Sequence, residues 1–197
     1  NGTDRIKKII LSLRNFSRLD ESEMKQVNIH EGLENTLLIL NHRLKLGIEV
    51  KKNYDNLPLV ECYPAQLNQV FMNILTNAID ALEESHKSCL ITRKENWNSQ
   101  QPTIWICTES ARDGVMVRIR DNGSGIPSEI KNKLFDPFFT TKPVGQGTGL
   151  GLSISYQIIE KHQGKIEVIS HPGQGTEFAI ALPIKTLSLN KGVGCGE

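Results

Sequence analysis

One carboxylate, two glycine clusters and a pair of asparagines are the residues of this chain whose spacing could do chemistry. Asp121 closes a β-like run over 115–120 and is followed by Asn122-Gly123-Ser124-Gly125-Ile126-Pro127. There an acceptor-only side chain sits beside glycines that let the backbone turn tightly or approach a ligand closely. The second cluster, Gly145-Gln146-Gly147-Thr148-Gly149-Leu150-Gly151-Leu152, opens onto a helical pattern carried by Ile154, Ile158 and Ile159. A glycine-rich loop feeding a helix N-terminus turns free N–H groups and the positive end of the helix dipole toward an anion. Together the clusters describe a nucleotide site, with Asp121 toward a base and the second loop toward phosphates. Glycines at every second position do not fit G-x-G-x-x-G, and no G-x-x-x-x-G-K-[ST] occurs. A dinucleotide fold and a P-loop are therefore both disfavoured.

The element that must position these loops lies upstream. Over 66–82, Leu67, Val70, Phe71, Ile74, Leu75, Ala78 and Leu82 recur at a helical period with a wide apolar face. Asn73 and Asn77 are four apart, so their side chains stack on one face of that helix. Asparagine is a mediocre helix former, and two of them in so apolar a helix need a reason. Their amide oxygens suit Mg2+, a hard cation that keeps water and substrate phosphates as its other ligands. The plainer alternative is that both hydrogen-bond to neighbouring loops.

These residues carry a resemblance. Asn73-x-x-x-Asn77-Ala78, Asp121-x-Gly123-x-Gly125-Ile126-Pro127, Phe135-Asp136-Pro137-Phe138-Phe139, Gly147-x-Gly149-x-Gly151-Leu152 and Gly175-Thr176-x-Phe178 stand in the order of the N, G1, F, G2 and G3 boxes. From about residue 25 to about residue 185 the chain resembles the catalytic, ATP-binding region of a two-component sensor histidine kinase of the GHKL superfamily. Residues 1–24 resemble the end of the dimerisation hairpin that precedes such a domain, and 186–197 read as a disordered tail. The resemblance implies an α+β two-layer sandwich, the Bergerat fold, with ATP between the helix layer and a lid.

What it implies residue by residue is specific. Asp121 would accept a hydrogen bond from the adenine amino group, with Thr176 orienting a water beside it. Gly123, Gly125 and Ile126 would line the base. Asn77 would ligate Mg2+, with Asn73 as its catalytic neighbour, and Lys142 would meet the β/γ-phosphates as a point charge. Gly147, Thr148, Gly149, Leu150, Gly151 and Leu152 would form the lid and its phosphate-facing amides. Phe135, Phe138 and Phe139 would anchor that lid in the core. ATPase relatives carry a glutamate where Asn73 stands; an amide has no basic site, so transfer to a histidine is favoured over hydrolysis. Many kinases of the family carry a basic residue where Asp80 stands, so fewer cations are expected to face the phosphates.

The expected activity is transfer of the ATP γ-phosphoryl group to a histidine, for relay to a response regulator. The alternatives are a GHKL-type ATP hydrolase and a nucleotide-binding signalling module without kinase activity. The histidines bear on the choice. His30-Glu31 lacks the basic residue and proline that follow a phosphoacceptor, so His30 reads as an exposed first-turn residue after an Asn28 cap. The phosphoacceptor is expected upstream of residue 1. His162 precedes Gln163-Gly164 at a helix end, where an imidazole would favour the dipole.

The remaining chain sets bounds. Its formal net charge of +1 implies no polyanion, hence no nucleic-acid partner. Cys62, Cys89, Cys107 and Cys195 lack C-x-x-C spacing and read as reduced cytoplasmic thiols. Ile6, Ile9, Ile10, Leu13 and Phe16 make an amphipathic stripe over 3–19 that needs a partner, by resemblance a second copy in a homodimer of the full-length protein. Residues 20–23 read as a hinge and 85–102 as a mobile surface insertion; a strand is expected over 47–52, and strand pairs over 103–108 with 115–120 and over 165–169 with 176–182.

Overall fold

A computed structural model describes residues 23–92, 101–143 and 147–184, with the backbone alone for 86–92. The expectations for 3–19, for most of the 20–23 hinge and for 186–197 lie outside the described residues. In order, the elements are β1 (Lys25–Val27), α1 (Ile29–Leu44), β2 (Glu49–Tyr54), β3 (Val60–Cys62) and α2 (Pro64–Thr92). They continue with β4 (Thr103–Ala111), β5 (Gly114–Asp121), α3 (Ser128–Lys131), α4 (Gly151–Lys161), β6 (Lys165–His171) and β7 (Gly175–Pro183).

Five strands form one sheet in the order β2-β4-β5-β7-β6, and α1, α2 and α4 share its core. Alternation does the sorting. In β5 the residues Val115, Val117 and Ile119 point inward, and in β7 Phe178, Ile180 and Leu182 do so. They meet Phe71, Ile74, Leu75 and Ile79 of α2, all essentially inaccessible, in one continuous cluster. The architecture is the expected α+β sandwich, with helices gathered on one face of a mostly antiparallel sheet.

Several local expectations are corrected. β2 pairs parallel to β4, with Glu49 opposite Thr103 and Tyr54 opposite Thr108, so the sheet is mixed, while the two expected strand pairs stand as β4–β5 and β6–β7. A parallel pair needs a crossover, and α2 lies in it. β1 and β3 form a separate two-stranded antiparallel sheet, Val27 opposite Val60. α2 does not stop near residue 84: its helix runs 29 residues to Thr92, so the first half of the supposed insertion is helical. No Gly or Pro interrupts 84–92, and an established helix propagates at little cost. Residues 93–100 lie outside the described residues.

His30 is not simply exposed. Its ring stacks on Tyr54 at 4.3 Å, and its Nε2 lies 2.9 Å from Thr108 Oγ1, fastening α1 to the sheet. Asn28 caps α1 as expected, accepting from the His30 N–H at 3.0 Å.

Candidate functional site

Pro64 opens α2 at a position where its missing N–H costs nothing, and the apolar face of the helix is buried from Leu67 to Leu82. Along one edge of that face, Asn73, Asn77, Asp80 and Ala81 form a stripe at spacings of four, three and one. Asn77 and Asp80 share one partner, Lys142, while Asn73 and Ala81 each touch another part of the chain. With about 1.5 Å of rise per residue, the stripe spans about 12 Å along the helix axis.

Asn73 belongs to the junction with α4. Its Nδ2 donates to the Gly151 carbonyl at 2.8 Å and to Ser155 Oγ at 3.1 Å, while its Oδ1 accepts from Gln69 Nε2 at 3.0 Å. The amide ties α2 to the first turn of α4.

Asn77 faces the lid. Its Oδ1 accepts from Lys142 Nζ at 3.0 Å, and the same ammonium is paired with Asp80 Oδ2. Asp80 is held from its other oxygen by Arg43 Nη2 of α1 at 2.6 Å, and Arg43 also binds Glu83 at 2.8 Å. So Asp80 does not simply subtract a cation from the site. It gathers two, Lys142 from the lid and Arg43 from α1. Arg43 carried no motif that could have marked it, because its role depends on the α1–α2 packing.

At the far end of the stripe Ala81 meets the loop after β5. A side chain at Gly123 would stand 3.0 Å from Ala81 Cβ and 2.9 Å from Asp121 Oδ1, so only glycine lets this loop lie flat against the helix. Asp121 is 4% exposed and accepts from the Gly123 N–H at 2.8 Å and from the Thr176 N–H. Burial pushes its carboxyl up to about 6, against those two donors and the nearby Arg120, which hold it down. Gly125 (φ +69) and Gly175 (φ +86) occupy left-handed backbone, and a Cβ on Gly175 would collide with the Asp121 carbonyl. Ile126 and Thr176 are both fastened to Ser170, whose hydroxyl takes the Ile126 N–H at 2.8 Å and lies 2.9 Å from Thr176 Oγ1. Ser170 is 2% exposed and was invisible as a lone serine in a strand pattern.

The lid is described apart from residues 144–146, which include Gly145. A Cβ on Gly147 would press on Thr140 and Lys142, and Gly149 (φ +68) lies against the backbone of Phe138. Thr148 Oγ1 accepts from the Leu150 N–H at 3.4 Å, a weak contact. Leu150 and Leu152 pack into the core, and α4 begins at Gly151 with no side-chain cap. Its first-turn N–H groups are therefore free of any capping side chain, as an anion site requires. The phenylalanines divide. Leu134 and Phe135 anchor the segment, Phe135 against Tyr156 at 5.4 Å, whereas Phe138 is 64% exposed with φ +66. The expectation for Phe138 fails because its left-handed backbone turns the ring outward.

His162 also differs from its expected role. It is 1% exposed, its Nδ1 donates to the Ile158 carbonyl at 2.7 Å, and its Nε2 accepts from the Tyr63 N–H at 3.0 Å. Burial lowers its pKa, followed by the backbone bond that raises it and Lys161 that lowers it further. The ring is a neutral strut and not a charge on the helix dipole. Among the described residues no helix is long and apolar enough to cross a membrane.

The comparisons agree with this geometry. Residues 62–186 match the family model described as histidine kinase-, DNA gyrase B- and HSP90-like ATPase. The chain is 37% identical over 189 residues to the signal transduction histidine-protein kinase AtoS of Escherichia coli (strain K12), covering 92% of this chain but 27% of AtoS. It thus spans about a quarter of that relative's length. The catalytic domain of the histidine kinase ThkA superposes with a TM-score of 0.67 at 32% identity, covering 82% of this chain and 96% of that one. Full-length ShkA, solved in complex with AMPPNP, shares the fold with a TM-score of 0.74 at 22% identity, over 93% of this chain and 36% of that one. The chain belongs to the histidine kinase-, DNA gyrase B- and HSP90-like ATPase family, as the catalytic ATP-binding domain of a sensor histidine kinase.

Proposed function

We propose that the domain binds Mg-ATP along the Asn73-to-Ala81 stripe and transfers its γ-phosphoryl group to a histidine on a separate phosphoacceptor domain, for relay to a response regulator. The observation that carries this reading is the stripe itself. One helix edge touches the helix N-terminus, the lid cation and the Asp121 loop in sequence, which is the layout an elongated anion with a base at one end requires.

The donor set fits a divalent cation. Asn77 Oδ1, a hard oxygen, already accepts from the Lys142 ammonium, so the place is one that recruits positive charge. In this reading Asn77 would hold Mg2+, which would supply positive charge against that developing on the phosphates. Lys142 then passes from Asn77 to the β/γ-phosphates as a second cation. Asp121, when ionised, accepts from the adenine amino group, since a carboxylate offers only lone pairs. The free N–H groups opening α4 face the phosphates. Asn73 spends its amide on Gly151 and Ser155 and offers no base for water, which supports transfer over hydrolysis.

A homodimeric parent, in which each copy's hairpin presents the accepting histidine, is part of the same reading. The test uses γ-labelled ATP and the parent protein with its phosphoacceptor domain. Label should appear as acid-labile, base-stable phosphohistidine and vanish with Asn77→Ala or Asp121→Ala. Phosphate release without labelled protein would replace the reading by that of a hydrolase.

A further inference from the structure

Ser170 is the penultimate residue of β6, one before the turn that returns as β7, and the proposed phosphotransfer has no use for it. It is 2% exposed, yet all its hydrogen-bonding capacity is engaged at the Asp121 pocket. The Ile126 N–H donates to its Oγ at 2.8 Å, its hydroxyl donates to the Gly175 carbonyl at 2.9 Å, and Thr176 Oγ1 lies 2.9 Å away. Two separate segments of chain, the Ile126 loop and the start of β7, thus meet on one oxygen.

The directions of these bonds are fixed by chemistry. A serine hydroxyl has one proton and two lone pairs. A carbonyl can only accept, so the serine proton belongs to Gly175. An amide N–H can only donate, so Ile126 takes one lone pair. The contact with Thr176 must then use the other lone pair, which makes the Thr176 hydroxyl the donor. Its proton is committed to Ser170, and the lone pairs of Thr176 Oγ1 remain for whatever enters. The backbone N–H of the same residue binds Asp121. The two side-chain oxygens at this end of the pocket, those of Asp121 and Thr176, therefore both present acceptors.

We infer that Ser170 is a positioning residue for base selectivity. It clamps the Ile126 loop to the Gly175 turn and, by taking the Thr176 proton, makes the pocket select a purine carrying a 6-amino donor over one carrying a 6-oxo acceptor. This rests on the reading of Asp121 as the base end of the site. A buried pocket that hydrogen-bonds one partner discriminates strongly against an analogue that leaves its groups unpaired.

The experiment compares ATP with inosine triphosphate, which differ at this edge of the base, by calorimetry with Mg2+ on the whole chain. Ser170→Ala is expected to lower the ATP-to-ITP affinity ratio about tenfold, or about 1.4 kcal/mol. Thr176→Val, which keeps the shape and removes the hydroxyl, should lower it similarly. The double variant should be no worse than either single one, because both changes break one chain of bonds. Ser170→Cys, close in size with a weaker donor and acceptor, gives the same readout should the alanine variant not fold. An unchanged ratio in the serine variants, or additive losses in the double variant, overturns the inference. Asp121→Ala serves as the separate control: if it leaves ATP affinity intact, the base-end reading fails, whereas a loss there with an unchanged Ser170 ratio fails the inference alone.

Discussion

Lys142 places its ammonium 3.0 Å from Asn77 Oδ1, on the very amide that the proposed mechanism gives to the metal. The lid lysine and a cation therefore compete for one oxygen. Asp80 weights that competition toward the lysine, and Arg43 holds Asp80 in place.

Asp80→Asn should tip it the other way. The substitution keeps the shape but removes the charge that retains Lys142, and its single acceptor oxygen can serve only one of Arg43 and Lys142, while Arg43 keeps Glu83. Because side chains of Lys142 and Asp80 are 32% and 28% exposed, the pair is worth only about 1 kcal/mol. Mg-ATP affinity measured by calorimetry is expected to rise about fivefold. A fall in affinity would mean that Asp80 helps to hold the bound nucleotide.

Asn73→Asp should destabilise the domain more than Asn73→Ala does. The amide donates to two oxygens, and a carboxylate in its place would turn a charge toward the Gly151 carbonyl. The alanine variant should lose about 1–2 kcal/mol and the aspartate variant about 2–3 kcal/mol in urea unfolding. Equal losses would remove the electrostatic part of this account.

Binding of ATP should weaken as pH falls through about 6, where Asp121 takes up its proton. Folding responds with the opposite sign. The folded pKa is raised from 3.8 to about 6, so this group's contribution to stability is full below 3.8 and is lost as pH rises through about 6. Acid thus favours the empty fold while it disfavours the adenine contact. Mg-ADP titrations at several pH values, with Asp121→Asn as reference, should show an acid loss of affinity in the wild type that the variant lacks.

His162 predicts acid lability of a different origin. Its folded pKa lies below the ordinary 6.5, so its contribution is present above 6.5 and is lost as pH falls through the folded value. Protonation would abolish its acceptance from the Tyr63 N–H. His30 shifts in the same direction, so the comparison must be with His162→Gln. Below pH 6.5 the wild type should lose stability more steeply than the variant in chemical denaturation.

The parts of the site legible in sequence were those whose chemistry is local. Asn73 and Asn77 announce themselves by sitting four apart in an apolar helix, and Asp121 by ending a strand before two glycines. The parts that were not legible depend on distant chain meeting. β1 and β3 are three residues each, too short for any period to register, and exist because they pair with one another. The parallel join of β2 to β4 leaves no mark on either strand. Arg43 looks like any lysine or arginine near a helix end, where it would be read as serving the dipole. Ser170 acquires its meaning only when the Ile126 loop and the Gly175 turn converge on it. Phe138 was misjudged because hydrophobicity says nothing of a left-handed backbone.

The two edges of the sheet are both charged. On β2, Lys51 lies 3.5 Å from Glu49, and on β6, Lys165 lies 2.6 Å from Glu167, each pair two residues apart along one edge strand. A flat apolar edge would be a template for another strand, and such same-strand ion pairs deny it. Copies of this domain crowded together can therefore slide past one another without zippering into aggregates. That protection rests on four exposed side chains of the two edge strands, those of β6 only a few residues from Ser170.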